Sequence, residues 1–237
     1  MSPRMVLAVV VLLLCAVIPT QAQVTVTLGG PDNNNGFFET YPNSHGGNTT
    51  VSMSPYSGTI DNGTTSVHAV FYCLDFSTPV GNGQSWNGQI TLLANSSDYT
   101  NTLQYTLTGN NATSEHNYLE MAWLITQEQA ALSVGNTIAA AHDDWAIWSF
   151  TDATAAPAIG LNPDPYGTNA SLLAQAQAAI STGFTVSNWQ IITPTGTMPG
   201  QEFLVPTPEQ PSVVLFLLGI MLFVVAAAFR KTQQRTA

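Results

Sequence analysis

From Val24 to about Thr113 the chain runs as short alternating or β-branched stretches separated by turn signals. Val24 to Leu28 gives way to Gly29-Gly30-Pro31-Asp32-Asn33-Asn34-Asn35-Gly36, and Thr49 to Met53 gives way to the loop from Pro55 to Gly63. Val67 to Phe76, Gln89 to Leu93 and Thr102 to Thr108 continue the pattern, which predicts strands of an antiparallel sheet. After Ser114 the period changes. Leu119, Ala122, Trp123 and Thr126 are spaced for one face of a helix running to about Leu132, with Ser114 as its expected N-cap. Asn136 or Thr137 opens a second helix carrying Ile138, Ala141, Trp145 and Trp148. A third runs from about Ala170 to Thr182 on Leu172, Leu173, Ala176, Ala179 and Ile180, and stops at Gly183. Phe184 to Ile192 and Glu202 to Val205 return to strand character.

The two ends have a different grammar. Arg4, the apolar stretch Val6 to Ile18 and the small-residue end Thr20-Gln21-Ala22 form a signal peptide over 1–22, with cleavage expected between Ala22 and Gln23. Leu12, Leu13 and Leu14 precede Cys15 where a lipobox needs a small residue, so lipidation is not expected. At the other end an uncharged apolar run, 213–229, would measure roughly 25 Å as a helix at ~1.5 Å per residue, just enough to span a bilayer. Arg230, Lys231 and Arg235 follow it, which favours a cytoplasmic C-terminus and places 23–205 outside the cytoplasmic membrane. The order Pro206, Pro208, Glu209, Pro211, Ser212, apolar run, Arg230, Lys231 resembles the PEP-CTERM sorting signal of Gram-negative bacteria, also known as the ice-binding protein C-terminal domain. Gln210 interrupts its usual Thr-Pro-Glu-Pro-Ser core. The resemblance covers 206–237 and implies processing by signal peptidase and by an exosortase, and delivery to the cell surface or extracellular matrix.

The fold class expected is therefore α+β: an N-terminal antiparallel β sheet or barrel-like half, a three-helix insertion and closing C-terminal strands over 23–205, plus one C-terminal transmembrane helix over 213–229.

Charge narrows the function classes. The only basic residues, Arg4, Arg230, Lys231 and Arg235, lie in the terminal segments, while all 14 acidic residues lie between them. A body without Lys or Arg offers nothing cationic to phosphate, so nucleic acid is excluded as a partner. Only Cys73 remains once the signal peptide is removed, so no disulfide can form within the mature chain.

Phe71-Tyr72-Cys73-Leu74-Asp75-Phe76 on a strand, together with Asp144-Trp145-Ala146-Ile147-Trp148 on a helix, resembles the Cys-Gln thioester domains of bacterial surface proteins. In those, a strand Cys and a helical Gln-x-Ala-Ile-Trp close an internal thioester that captures an amine. Cys73 matches the Cys, and Ala146, Ile147 and Trp148 match the Ala-Ile-Trp. Asp144 stands where the Gln belongs. A carboxylate is a poor acyl donor to a thiol and sits one methylene short, so the resemblance implies a degenerate relative that keeps the fold without the bond.

Other candidate chemistry is weaker. His45, His68, His116 and His142 are potential bases for a cysteine hydrolase but sit in no recognisable signature. His142, Asp143 and Asp144 are consecutive and fan around a helix, which does not suit a metal and suggests an exposed polar face. The loop Asp32 to Gly36 fails the spacing of a calcium loop and suits an Asn-rich turn. Glu115, Glu120 and Glu128 suit a solvated helix better than a glycosidase pair. No catalytic residue, cofactor or metal is expected. The expected function is a non-enzymatic structural or adhesive role at the surface, with membrane contact through the C-terminal helix and a polysaccharide or other surface ligand as the partner. A covalent adhesin using Cys73 and a secreted hydrolase are the alternatives.

Overall fold

A computed structural model describes residues 23–32, 36–42, 48–76, 78, 80–152, 164–186, 188–196 and 200–207. Contacts divide the chain between Pro206 and Thr207, and all of the described strands and helices belong to the unit ending at Pro206. Its strands are β1 (Gln23–Pro31), β2 (Phe37–Pro42), β3 (Asn48–Met53), β4 (Tyr56–Asp61), β5 (Ser66–Cys73), β6 (Ser85–Leu92), β7 (Trp189–Pro194) and β8 (Phe203–Pro206). Between β6 and β7 come a 3-10 turn (Ser96–Asn101) and the helices α1 (Leu103–Thr108), α2 (Asn111–Ser133), α3 (Thr137–Asp152) and α4 (Asn169–Ser181).

Six strands close into an antiparallel barrel in the order β1, β4, β5, β8, β7, β6 and back to β1, while β2 and β3 form a separate hairpin. Closure leaves the barrel without an edge strand to template aggregation. Alternation along β1 buries Val24, Val26 and Leu28. Across the sheet the buried set continues through Phe71, Trp86, Ile192 and Phe203. Phe203 stands edge-on to Phe71 at 5.5 Å and to Tyr56 at 6.3 Å, and stacks on Trp86 at 5.8 Å. Space is tight enough that a Cβ on Gly58 would meet the Thr27 carbonyl at 2.5 Å and the Phe71 ring at 2.8 Å.

The expected fold class is corrected in two respects. The strands do not form a sheet in the N-terminal half that later strands merely close: β7 and β8 are integral staves, with β8 inserted between β5 and β7. No helix among the described residues is long and apolar enough to cross a membrane, and the expected transmembrane segment 213–229 lies outside the described residues. The insertion also holds more than three helices, because Thr102 to Thr108, expected as a strand, is α1. Thr102 caps it by accepting from the Tyr105 amide, and Gly109 ends it in the left-handed region at φ 65. The buried Glu202 carboxylate completes the N-terminal cap by accepting from the Leu103 amide.

The helix expected to begin at Ser114 is capped instead by Asn110, which accepts from the Thr113 amide, and it buries Tyr118, Met121, Ala122, Leu124 and Ile125. Ile138, expected in the stripe of α3, is 60% exposed. Trp145 and Trp148 are buried as expected, and both rings pack on Phe76.

Phe203→Ala should cost about 3–5 kcal/mol, the usual range for a buried Phe. Gly58→Ala should destabilise through the backbone contact that its methyl cannot avoid. Both are read from urea midpoints, and an unchanged midpoint for Phe203→Ala would contradict this packing.

Candidate functional site

Two buried carboxyl sites join the helices to the barrel, and they solve the same problem differently. The first is Glu202, just before β8 and 1% exposed. It accepts from the Tyr118 hydroxyl of α2 at 2.5 Å, the Leu103 amide of α1 at 2.8 Å and the Thr193 hydroxyl of β7 at 2.7 Å. One carboxyl thereby ties two helices to two adjacent strands. Its contact with the first amide of α1 also suits the positive end of that helix. Burial still pushes its pKa up to about 7, against the pull of those three donors.

The second site surrounds the end of β5. Trp148 Nε1 donates to the Cys73 carbonyl at 3.2 Å, and Thr151 Oγ1 donates to the Leu74 carbonyl at 2.5 Å, so α3 hangs from this strand end. Cys73 Sγ donates to the Asp75 carbonyl at 3.3 Å. Ser54, in the link between β3 and β4, then connects the two residues of the expected pair. Its hydroxyl accepts from the Cys73 amide at 3.1 Å, and its amide donates to Asp144 Oδ2 at 3.0 Å. Cys73 and Asp144 are thus brought to one place and held through a third residue. Sequence reasoning missed Ser54; Ser-Pro between two strands carries only the signature of a turn.

Asp144 is fully buried and Asp143 nearly so, which corrects the exposed polar face expected for this stretch. Glu128, expected on a solvated helix, is also fully buried, and Glu120 is 2% exposed. Glu120 receives His116 Nε2 at 2.7 Å. Glu128 has no hydrogen-bond partner for either oxygen among the described residues, and Asp144 Oδ1 has none either. Burial, then the charges of Asp144 and Asp143, raises the Glu128 pKa well above the usual carboxyl range. Burial pushes Asp143 up to about 7 and Asp144 up to about 8, the latter despite the Ser54 hydroxyl and amide. Burial, with the charge of Asp75 next, raises the Cys73 thiol as well. At neutral pH Cys73 is a thiol, which is a poor nucleophile.

His142 lies against Tyr166, ring centres 4.0 Å apart, and burial lowers its pKa. Among the described residues no group of three His, Cys, Asp or Glu side chains is arranged to hold a metal. Of the residues expected to serve sorting and processing, Gln23 begins β1 and Pro206 ends β8, paired with Trp189. Ala22, Pro208, Glu209, Pro211, Ser212, Arg230 and Lys231 lie outside the described residues, as do His45 and the middle of the Asp32 to Gly36 turn. No protein-family model, curated protein or solved structure matches the chain.

The buried carboxyls make stability depend on pH with a definite sign. Their folded pKa values stand above those of the unfolded chain, so the folded state binds protons that the unfolded state has lost. Their stabilising contribution is complete below about pH 4, where both states are protonated, and is lost as pH rises through 7 to 8. Thermal melts should fall by at least ~5 °C between pH 5 and pH 8.5, given the size of this domain. A melting temperature that is flat or rising across that window would contradict the assignment.

Proposed function

We propose that the chain is an exported, exosortase-sorted surface or extracellular-matrix protein of a Gram-negative bacterium, whose barrel and helices serve a non-enzymatic structural or adhesive role. The observation that carries the non-covalent part of this reading is the state of the Cys73–Asp144 pair. Asp144 stands at the acyl position but is already held by the Ser54 amide, and Cys73 is 2% exposed with its thiol turned to a backbone carbonyl. Capture of an amine needs an electrophile within reach of solvent, and this pair offers a buried acid and a buried thiol. The pair acts here as a strut between α3, β5 and the Ser54 link.

The delivery part rests on the order of the terminal segments. The expected signal peptide ends at Ala22 and β1 begins at Gln23; β8 ends at Pro206, where the expected sorting segment opens. A body whose strands start and finish at those two boundaries tolerates processing at both ends without losing a stave.

Intact mass of the purified protein tests the chemistry. The expected result is an unmodified mass, with Cys73 alkylated only after denaturation. A mass short by one water or one ammonia, to which methylamine adds its own mass while freeing the Cys73 thiol, would replace this reading with the covalent adhesin. For delivery, the mature N-terminus is expected at Gln23, with C-terminal processing that depends on the exosortase; the same C-terminus in cells with and without that enzyme would contradict sorting.

A further inference from the structure

The Glu128 carboxyl is fully buried without a described partner for either oxygen, and Asp144, a second buried acid, has one oxygen in the same condition. The groups whose charges act on these two acids, or on which they act, are Asp143 on the same helix as Asp144, Tyr56 on β4, and Tyr72 and Cys73 on β5. All are acids. The remaining charges around this end are Asp75, next to the Cys73 thiol, Asp32, acting on Tyr72, and Glu39 and Asp164, both acting on His142. His142 is the single base of the set, and its own charged form is disfavoured by burial. No Lys or Arg occurs between Arg4 and Arg230. Two ionised carboxylates in this position would therefore face neither a countercharge nor enough donors, and such burial costs several kcal/mol per ion even after relaxation. Removing that cost requires a proton or an opening to water.

The place where opening would occur is also visible. Glu128 is on α2 and Asp144 on α3, and the hydrogen bond to Asp144 comes from the same Ser54 that holds the Cys73 amide. We propose that Glu128 and Asp144 form a proton-held latch between α2, α3 and the Ser54 link, closed while the pair carries a proton and released when both acids ionise, and that release exposes Cys73. In the closed form the thiol is cryptic. In the open form it meets solvent as a free cysteine available to thiol-reactive partners, so the latch couples external pH to the accessibility of the single thiol of the mature chain.

The pH dependence of Cys73 alkylation by iodoacetamide, followed on the full chain and read by mass spectrometry of the Cys73 peptide after pepsin digestion, tests this directly. In urea the rate reports thiol ionisation alone and should rise about tenfold per pH unit below the thiol pKa. In native buffer between pH 6 and pH 8 opening of the latch releases at least one further proton, so the rate should rise about a hundredfold or more per pH unit. Glu128→Gln, which keeps the shape and removes the charge, should lower the native slope by about tenfold per pH unit, and adding Asp144→Asn should bring it down to the slope in urea. A native slope equal to the slope in urea would overturn the latch even if Glu128→Gln fails to fold. A slope that Glu202→Gln reduces as much as Glu128→Gln would assign the protons to global unfolding and overturn it too.

Discussion

Every buried carboxyl in this domain must be accommodated without a Lys or Arg. The four basic residues of the chain are Arg4, Arg230, Lys231 and Arg235, so a salt bridge within the body is restricted to histidine. His116 with Glu120 is such a pair among the described residues. The other solutions are neutral donors or a proton. Glu202 takes the first, receiving three hydrogen bonds from α1, α2 and β7, and in doing so fixes the helical insertion onto the barrel. Glu128 and Asp144 take the second, since between them only one oxygen has a described partner. The same constraint therefore yields a joint tied by three donors at one place and a joint that depends on its protons at another.

The proton-dependent joint is also where the thioester resemblance places Cys73 and Asp144, and the two facts are linked. An acyl donor must be uncharged and its carbon exposed to the thiol. A carboxyl at that position, one methylene short of a Gln amide, introduces an ionisation that the surroundings cannot balance. Ser54 absorbs part of this cost by donating its amide to Asp144 while its hydroxyl accepts from Cys73. The result is a strut whose strength depends on protonation.

How much of this could be read from the sequence follows from what periodicity encodes. Alternation in β1 and the aromatic spacing of α3 are signals of burial by apolar residues, and Val24, Val26, Leu28, Trp145 and Trp148 are buried accordingly. Pairing between distant segments has no such signal, so β8 inserting between β5 and β7 was not legible. Thr102 to Thr108 alternates like a strand because its helical character comes from caps and from Glu202, which lies 99 residues from Leu103. Glu128 and Asp144 look like solvated helix positions for a similar reason: a polar residue reads as exposed unless something announces its partner. What the sequence did announce was the absence of any Lys or Arg that could serve as one.

If the folded body holds protons that its unfolded chain releases, a potentiometric count on unfolding measures them most directly. Unfolding the purified protein with urea at pH 6 in unbuffered salt should release at least about two protons per chain, from the set Glu128, Asp143, Asp144 and Glu202. Release of none, or uptake of protons on unfolding, would mean that the buried carboxyls are ionised in the native protein and would contradict burial held by protons.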